Sequence, residues 1–435
     1  MRRTAIEDLR EWKSRANRKP LIVRGARQVG KTWLIKEFAR EAYHGNSIYI
    51  NFEDEEVLQN VFTVDFDIQR ILATIALRTG RTADEDTLII FDELQAARRG
   101  VTALKYFYEK APQLHIIAAG SLLGITMHEG ESFPVGKVDF LDLYPMTFVE
   151  YLMARGQERI AEIVEKCDMA LLPIVADRVD RYLREYYYVG GMPEVVASFV
   201  EKEDYAEARL LQQNILNAYS NDFSKHAPVD QLPLINIVWN SIVAQLTKEN
   251  KKFVYGLLRH GARSAQFERA IQWLCDAGLV TKVSRVKSGE MPLAGFADYA
   301  AFKLFMLDVG LLGAKCNLKA STLIDGNELF KTFKGSLTEQ YVFNQIRPTI
   351  KDIYYWSAEN SSGEIDFIIE VSGRVIPIEV KAEENVKAKS LRLFVERHAG
   401  MKGVRFSMKG YREQDWMTNV PLSCCGSYIS NMSSR

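Results

Sequence analysis

Short apolar runs alternate with helix-like repeats through residues 20–145. Three of these runs are apolar at nearly every consecutive position and have the length of a strand: residues 21–23, 87–91 and 115–119. Such runs are typical of strands buried on both faces of a parallel sheet, with helices in the intervening segments. This part of the chain therefore predicts an α/β fold in which a parallel sheet is flanked by helices.

Helical repeats dominate the next part of the chain. They are interrupted by Gly190-Gly191-Met192-Pro193, a turn signal that favours a helix stop over a hinge. Residues 232–286 then predict helix, short helix, helix and strand, with a further strand at 302–307, which is the order of a winged-helix module. The second long helix offers only Arg269 and Gln272 as polar readers, which favours packing over DNA recognition.

These patterns predict four domains in one chain. The expected order is an α/β core, a helical lid, a winged-helix-like module and a second, C-terminal α/β domain. Their expected bounds are residues 1–155, 156–228, 229–325 and 326–435.

The composition is typical of a soluble globular chain. Of 435 residues 47% are hydrophobic, Lys+Arg and Asp+Glu balance at 56 each, and no apolar run approaches the roughly 20 residues that span a bilayer. The five cysteines include no C-x-x-C pair and the N-terminus is charged, so we expect a cytoplasmic protein with no disulfide framework, zinc site or membrane partner. No global field attracts nucleic acid, although residues 381–412 carry nine basic residues against three acids.

A glycine-rich loop follows the first strand and precedes a helical repeat. It has the pattern G-x-x-x-x-G-K-T, in the strand–loop–helix context that this phosphate-binding motif requires. Its residues are Gly25, Ala26, Arg27, Gln28, Val29, Gly30, Lys31 and Thr32. The loop N–H groups would bind phosphate oxygens, Lys31 would reach the β- and γ-phosphates, and the Thr32 hydroxyl would bind Mg²⁺. We therefore expect ATP and Mg²⁺ as cofactors.

A pair of acids ends the second apolar run. Asp92 and Glu93 lie at the carboxyl end of a predicted buried strand, where open α/β sheets bind their ligands. Asp92 would hold the magnesium through water, and Glu93 would polarise the attacking water. Ser121, after the third run, could sense the γ-phosphate or be an ordinary turn residue. This site predicts an ATPase.

A second group of charged residues lies near the C-terminus. Two apolar segments flank Ser372-Gly373, and a two-residue hairpin turn there fixes the pairing so that partners sum to 745. Asp366 would then face Glu379, with Lys381 two residues further along the same strand. The opposite face would be entirely apolar: Ile365, Phe367 and Ile369 against Val380, Ile378 and Ile376.

Facing carboxylates repel each other unless a cation lies between them. Asp366 and Glu379 are therefore candidate ligands of Mg²⁺ or Mn²⁺, and Lys381 could help to activate a water for attack on a phosphodiester. The alternative is a solvated hairpin with a Lys381–glutamate ion pair. Glu339 is a third candidate acid, because it shares a helix side with Val342. Residues 336–339 also fit a capping box in which Glu339 only closes a helix start, and these residues alone leave both roles open.

Taken together, the motifs resemble prokaryotic AAA-family P-loop ATPases with a C-terminal, poorly characterised domain similar to the restriction-endonuclease fold. The resemblance spans nearly the whole chain. Besides the phosphate loop it includes Asp92-Glu93-Leu94-Gln95, Gly190-Gly191-Met192-Pro193 and the segment 335–339. It implies a nuclease-type site in which Glu339 is the helix glutamate, Asp366 the strand aspartate, and Glu379 with Lys381 the E-x-K pair.

Two functions follow as hypotheses. The first is an ATPase coupled to a metal-dependent nuclease-like domain that acts on DNA. The second is an ATP-driven switch whose C-terminal domain only binds DNA or a protein partner. The resemblance also suggests a homo-oligomer formed through the ATPase domain.

Overall fold

The computed structural model describes residues 1–120, 134–248, 251–324, 331–358, 363–382, 388–398 and 400–433. The chain divides into two compact units. One contains residues 3–144 and 276–278, and the other contains residues 1–2, 145–275 and 279–435. The predicted boundary after residue 155 lies close to this division. The predicted boundaries before residues 229 and 326 fall inside the larger unit and stay predictions.

The smaller unit contains a five-stranded sheet, which confirms the predicted α/β core. Its strands are β1 (Leu21–Arg24), β2 (Ser47–Asn51), β3 (Leu88–Asp92), β4 (His115–Ala119) and β5 (Asp139–Asp142). Their order is β2-β3-β4-β1-β5, and every pairing is parallel. The accompanying helices are α1 (Ala5–Ser14), α2 (Lys31–Ala42), α3 (Glu56–Gln59), α4 (Ile68–Thr79) and α5 (Gly100–Lys110).

The burial of this sheet explains which strands the sequence revealed. Every residue of β3 and β4 is buried, as their continuous apolar runs predict. Residues 139–142 form the edge strand β5, which the sequence pattern does not predict. This strand has no continuous apolar run because β1 covers only one of its edges and its residues are half-buried or exposed.

The larger unit is built from helices and an eight-stranded mixed sheet. Its first helices are α6 (Phe148–Ala154), α7 (Glu158–Glu165), α8 (Ala176–Val189), α9 (Pro193–Lys202), α10 (Tyr205–His226), α11 (Leu232–Thr247) and α12 (Ser264–Asp276). The later helices are α13 (Val309–Lys315), α14 (Ala320–Ile324), α15 (Lys331–Ile346), α16 (Lys389–Arg397) and α17 (Cys425–Ser433). In the part of the chain that the structure describes, none of the helices is long and apolar enough to cross a membrane.

The strands of this unit are β6 (Val280–Val286), β7 (Ala297–Met306), β8 (Ile353–Ser357), β9 (Glu364–Val371), β10 (Arg374–Lys381), β11 (Gly403–Ser407), β12 (Arg412–Glu413) and β13 (Met417–Pro421). Their order is β12-β13-β11-β10-β9-β8-β6-β7. The antiparallel pair β6–β7 belongs to the predicted winged-helix-like module, yet β6 also pairs in parallel with β8. One sheet therefore runs through both predicted C-terminal domains.

Helices cover both faces of this mixed sheet. On one face, Phe343 of α15 stacks on Phe305 at 4.7 Å between ring centroids and also contacts Phe367. On the other face, α16 contributes Leu391 and Phe394 to a core that contains Ile365 and Ile368. The alternative interpretation, a solvated hairpin, is therefore wrong, because the hairpin lies in the interior of a sheet with packing on both sides. The Lys381–glutamate ion pair of that alternative is present.

The Gly190-Gly191 turn ends α8 at Val189, which confirms the predicted helix stop. A Cβ on Gly190 would collide with the Asp308 carboxylate, and one on Gly191 would collide with the Met146 carbonyl oxygen. Asp308 is 1% exposed and accepts hydrogen bonds from the N–H of Gly191 (2.7 Å) and the N–H of Leu311 (2.9 Å). One buried carboxylate thus caps α13 and fixes the turn after α8.

We expect Asp308→Ala to lower the free energy of unfolding by about 3 kcal/mol, since it removes a helix cap and leaves a buried N–H without an acceptor. Asp204 is a matched control, because it caps α10 with hydrogen bonds to the N–H groups of Ala206 and Glu207 but is exposed. Asp204→Ala should cost about 1 kcal/mol. Denaturant unfolding of both variants measures the difference, and equal losses would contradict the bridging role of Asp308.

Candidate functional site

The glycine-rich loop connects β1 to α2, as predicted. Its backbone is curled: Gly25, Gln28 and Gly30 have φ values of 153°, 66° and 91°. A Cβ on Gly25 would collide with the Leu143 carbonyl oxygen, so glycine is required there. A curled loop that enters a helix N-terminus is the backbone arrangement that binds phosphate groups.

Lys31, the first residue of α2, is 7% exposed and folds back over this loop. Its Nζ donates to the carbonyl oxygens of Gly25 and Ala26, at 2.8 Å each. Burial lowers the pKa of Lys31 to about 8, although the carboxylates of Glu93 and Asp92 act in the opposite direction. Phosphate oxygens are better acceptors for an ammonium group than neutral carbonyls and would draw Lys31 to the nucleotide.

Asp92 ends β3 and is 4% exposed. Its Oδ2 accepts hydrogen bonds from Thr32 Oγ1 and from the Tyr49 hydroxyl, at 2.8 Å each. The hydroxyl and carboxylate expected at the magnesium are therefore in direct contact, and both are the hard oxygen donors that Mg²⁺ prefers. Sequence reasoning missed Tyr49, although it lies on β2, which pairs with β3.

Glu93 follows directly, with a left-handed backbone (φ 49°). Its N–H donates to Asp92 Oδ1 at 3.1 Å, and its own carboxylate accepts a hydrogen bond from the Gln95 amide. Gln95 also lies in the Asp92–Gln95 motif, but no role for it was predicted. Ser121, the predicted γ-phosphate sensor, lies outside the described residues.

A second group of charged side chains lies in the larger unit, between α15 and the mixed sheet. The structure shows that Glu339 is 5% exposed and lies well inside α15, so the capping-box interpretation is wrong and the inward-facing one is confirmed. Burial would lower the pKa of Lys381, but the carboxylates of Glu379, Asp366 and Glu339 raise it. The four predicted residues therefore form one electrostatic group.

The register of the β9–β10 hairpin agrees with the prediction for the pairs from Arg374–Val371 to Ile378–Phe367, which all sum to 745. The ladder does not continue to Asp366 and Glu379. Instead, the N–H of Val380 donates to Asp366 Oδ2 at 2.7 Å. In a regular antiparallel ladder this N–H would donate to the carbonyl oxygen of Ile365.

A bulge in β9 explains this departure. In the pairing of β8 with β9, Tyr354 is opposite Ile368 but Trp356 is opposite Ile365, so one extra residue lies on β9. The bulge reverses the alternation of side chains. Ile365 therefore packs with Ile368 on the α16 face, and the prediction that it shares a face with Phe367 is wrong.

Three residues that were not predicted complete the group. Lys303 on β7 is 0% exposed and makes an ion pair with Glu364, and its Nζ lies 4.0 Å from Glu339 Oε2. Lys251 makes an ion pair with Glu339 Oε1. We call the whole set the C-terminal charge cluster: Glu339, Glu364, Asp366, Glu379, Lys251, Lys303 and Lys381. The sequence signal for Lys303 was a single charge inside the apolar run of residues 302–307.

The pKa values in this cluster follow its charge distribution. Burial raises the pKa of Asp366 to about 7, and the nearby Glu339 carboxylate adds to the shift. Burial would also raise the pKa of Glu339, but Lys251 and Lys303 more than offset it and lower that pKa. For Lys303, burial would lower the pKa, and Glu364 and Glu339 raise it instead.

A divalent metal does not fit the cluster as it is arranged. Glu339, Glu364 and Glu379 each form an ion pair with a lysine ammonium group, including Lys381 Nζ at 2.6 Å from Glu379 Oε1. Within the described ranges there is no group of three or more His, Cys, Asp or Glu side chains that could hold a metal ion. The assignment of Asp366 and Glu379 as metal ligands therefore stays a prediction.

Comparison with known proteins agrees with the prediction of a phosphate-binding site at the glycine-rich loop. Residues 17–152 match the family model of an AAA domain. Residues 180–322 and 334–425 match two models that are each described as a domain of unknown function. The chain is 23% identical over 358 residues to the uncharacterized protein MJ1544 of Methanocaldococcus jannaschii. This alignment covers 80% of this chain and 71% of that protein.

Solved structures give weaker similarities. The Walker-type ATPase PABY2304 of Pyrococcus abyssi aligns with a TM-score of 0.44 and 13% identity, over 73% of this chain and 95% of that one. The Aeropyrum pernix ORC1 protein in complex with DNA aligns with a TM-score of 0.29 and 12% identity, over 73% and 93%.

The lowered pKa of Lys31 predicts how nucleotide binding depends on pH. Phosphate binding requires the charged ammonium, so affinity for ADP should be constant below about pH 8 and weaken above it, by at most about tenfold per pH unit. Titration with a fluorescent ADP analogue at pH 7, 8 and 9 measures this. In Lys31→Arg, whose guanidinium stays charged, any remaining binding should lose this dependence. An unchanged slope in that variant would assign the titration to another group.

Proposed function

We propose that this protein binds and hydrolyses ATP at the glycine-rich loop. The observation that carries the proposal is the contact of Thr32 with Asp92 next to the buried Lys31, at the carboxyl edge of a parallel sheet. Magnesium bound there would neutralise phosphate charge, and the Thr32 hydroxyl and Asp92 carboxylate are the groups that would hold it.

The chain's own residues supply the remaining chemistry. Lys31 would bind phosphate oxygens and stabilise charge that develops during transfer. Glu93 would accept a hydrogen bond from the attacking water and orient it. In the observed arrangement the Gln95 amide donates to one oxygen of this carboxylate, Oε2, and the second oxygen can accept from the water.

For the C-terminal part we propose a binding role: the ATP cycle controls a domain that holds DNA or a protein partner without cutting it. The ammonium partners of the buried carboxylates support this role, because they leave no shared position for a metal in the described cluster. Exposed basic residues near the cluster in sequence could contact phosphates: Lys389, Arg397, Lys409 and Arg412. A homo-oligomer formed through the ATPase domain is a further part of this proposal.

We expect Lys31→Ala to abolish nucleotide binding, and Glu93→Gln to retain binding while hydrolysis falls about 10²–10⁴-fold. Glu85→Gln is the control, since this exposed acid lies between α4 and β3, before the site, and should change neither quantity. A phosphate-release assay and an ADP-binding titration separate the two effects. Retained hydrolysis in Lys31→Ala would overturn the site assignment.

A metal-dependent nuclease is the second candidate function. Two observations favour it: Glu339 Oε2 and Glu379 Oε2 are buried and accept no hydrogen bond within the part of the chain that the structure describes. Oxygens of this kind are the donors that a divalent ion would use.

The two candidates differ in one measurement. If the domain is a nuclease, purified protein with Mn²⁺ should cut DNA, and Glu379→Ala and Lys381→Ala should each abolish cleavage without changing ATP hydrolysis. Glu413→Ala, on the exposed strand β12, is the control. If the domain only binds, linear, circular and single-stranded DNA should all stay intact with and without ATP.

A further inference from the structure

The C-terminal charge cluster contains more cations than a nuclease-type site requires. Lys381 belongs to the E-x-K pair, but Lys251 and Lys303 come from outside the hairpin. Lys303 lies on β7, where no part of the residue is exposed, and its ammonium also lies 4.8 Å from the centre of the Tyr355 ring. Burial of a charged lysine costs free energy unless carboxylates surround it. The buried position of Lys303 therefore depends on Glu364 and Glu339.

Lys251 reaches the same carboxylate from a different element. It follows α11, and its backbone is in the left-handed region (φ 49°), which is unfavourable for a lysine. From there its ammonium makes the ion pair with Glu339 Oε1. Unfavourable backbone conformations cost free energy, and the ion pair with Glu339 is made from such a position.

The charges of the cluster nearly balance without a metal ion. Four carboxylates (Glu339, Glu364, Asp366 and Glu379) face three ammonium groups, which leaves one negative charge. One carboxylate, Asp366, also accepts a backbone N–H, from Val380. Yet Glu339 Oε2 and Glu379 Oε2 accept no hydrogen bond among the described residues. The cluster therefore has the oxygen atoms of a cation site together with ammonium groups that already supply the positive charge.

We propose that Lys251 and Lys303 are built-in cations that take the place of a divalent ion, so that the C-terminal charge cluster is closed to metals in the folded chain. The inference rests on the proposed non-cleaving role of this part and deepens it. It also predicts a latent site: removal of one ammonium group leaves buried carboxylate charge, which a divalent ion can then neutralise.

The test is a Mn²⁺ titration without nucleotide, followed by the loss of the free-ion signal in electron paramagnetic resonance. All proteins carry Asp92→Asn, so that the ATP site contributes no metal binding. The chain without a change in the cluster should bind no Mn²⁺ there. Lys251→Met should bind Mn²⁺ at least about tenfold more tightly than the detection limit set with the unchanged cluster, because one positive charge next to Glu339 is lost. The gain should disappear when Asp366→Asn is added.

Lys252→Met is the matched control, since the neighbouring Lys252 is exposed and should gain nothing. Lys251→Gln guards against misfolding, because its amide can still donate a hydrogen bond to Glu339 without the charge. Mn²⁺ should raise the melting temperature of Lys251→Gln and leave that of the unchanged cluster the same.

Two results would overturn the inference: Mn²⁺ binding by the unchanged cluster that Asp366→Asn removes, or folded Lys251→Gln and Lys251→Met that gain no affinity. Neither result bears on ATP hydrolysis, which the Glu93→Gln and Lys31→Ala variants test separately. The outcomes therefore distinguish failure of this inference from failure of the ATPase proposal.

Discussion

Compensation of buried charge is the constraint on which both charged sites of this protein depend. An ionised group in the interior is unstable unless hydrogen-bond donors or opposite charges surround it. In the smaller unit, Asp92 meets this requirement with two hydroxyl donors and Lys31 with two carbonyl acceptors. The same contacts hold these side chains at the carboxyl edge of the sheet, so the requirement for stability also fixes the geometry of the proposed nucleotide site.

The larger unit meets the requirement with whole charges rather than with neutral dipoles. Each buried glutamate of the C-terminal charge cluster has a lysine partner, and Asp366 has a backbone donor together with a raised pKa. The difference matters for function. Neutral donors such as the Thr32 hydroxyl can be redirected when a ligand brings its own charge, whereas an ammonium group inside a carboxylate cluster competes directly with an incoming cation.

Continuity of the mixed sheet brings the members of this cluster together from distant parts of the sequence. Lys303 comes from β7, Asp366 from β9 and Glu379 from β10, and these strands belong to one sheet because β6 pairs with β8. A freestanding winged-helix hairpin would not place a lysine beside Glu364. The same unit also uses one carboxylate, Asp308, to join the turn after α8 to the start of α13.

The sequence by itself determined the features that depend on near neighbours. The phosphate loop, the buried strand that ends in Asp92 and Glu93, the helix stop at Gly190 and the register of the Ser372-Gly373 hairpin all follow from patterns within about ten residues. The spacing of glycines, the period of apolar residues and the length of turns act locally, so they can be recognised in the sequence without knowledge of the tertiary structure. For this reason the predicted register of the hairpin is correct for the residues from Val371 to Phe367.

Only the tertiary structure decided where the predicted β9–β10 register ends and which side chains surround the carboxylates of the C-terminal charge cluster. The bulge in β9 exists only where β9 pairs with β8 on one side and with β10 on the other, and it moves Ile365 to the other face. Lys251 and Lys303 are 88 and 36 positions from Glu339, too far for any local pattern to link them to it. Electrostatic partners are set by distance in space, and that distance exists only after the sheet has formed.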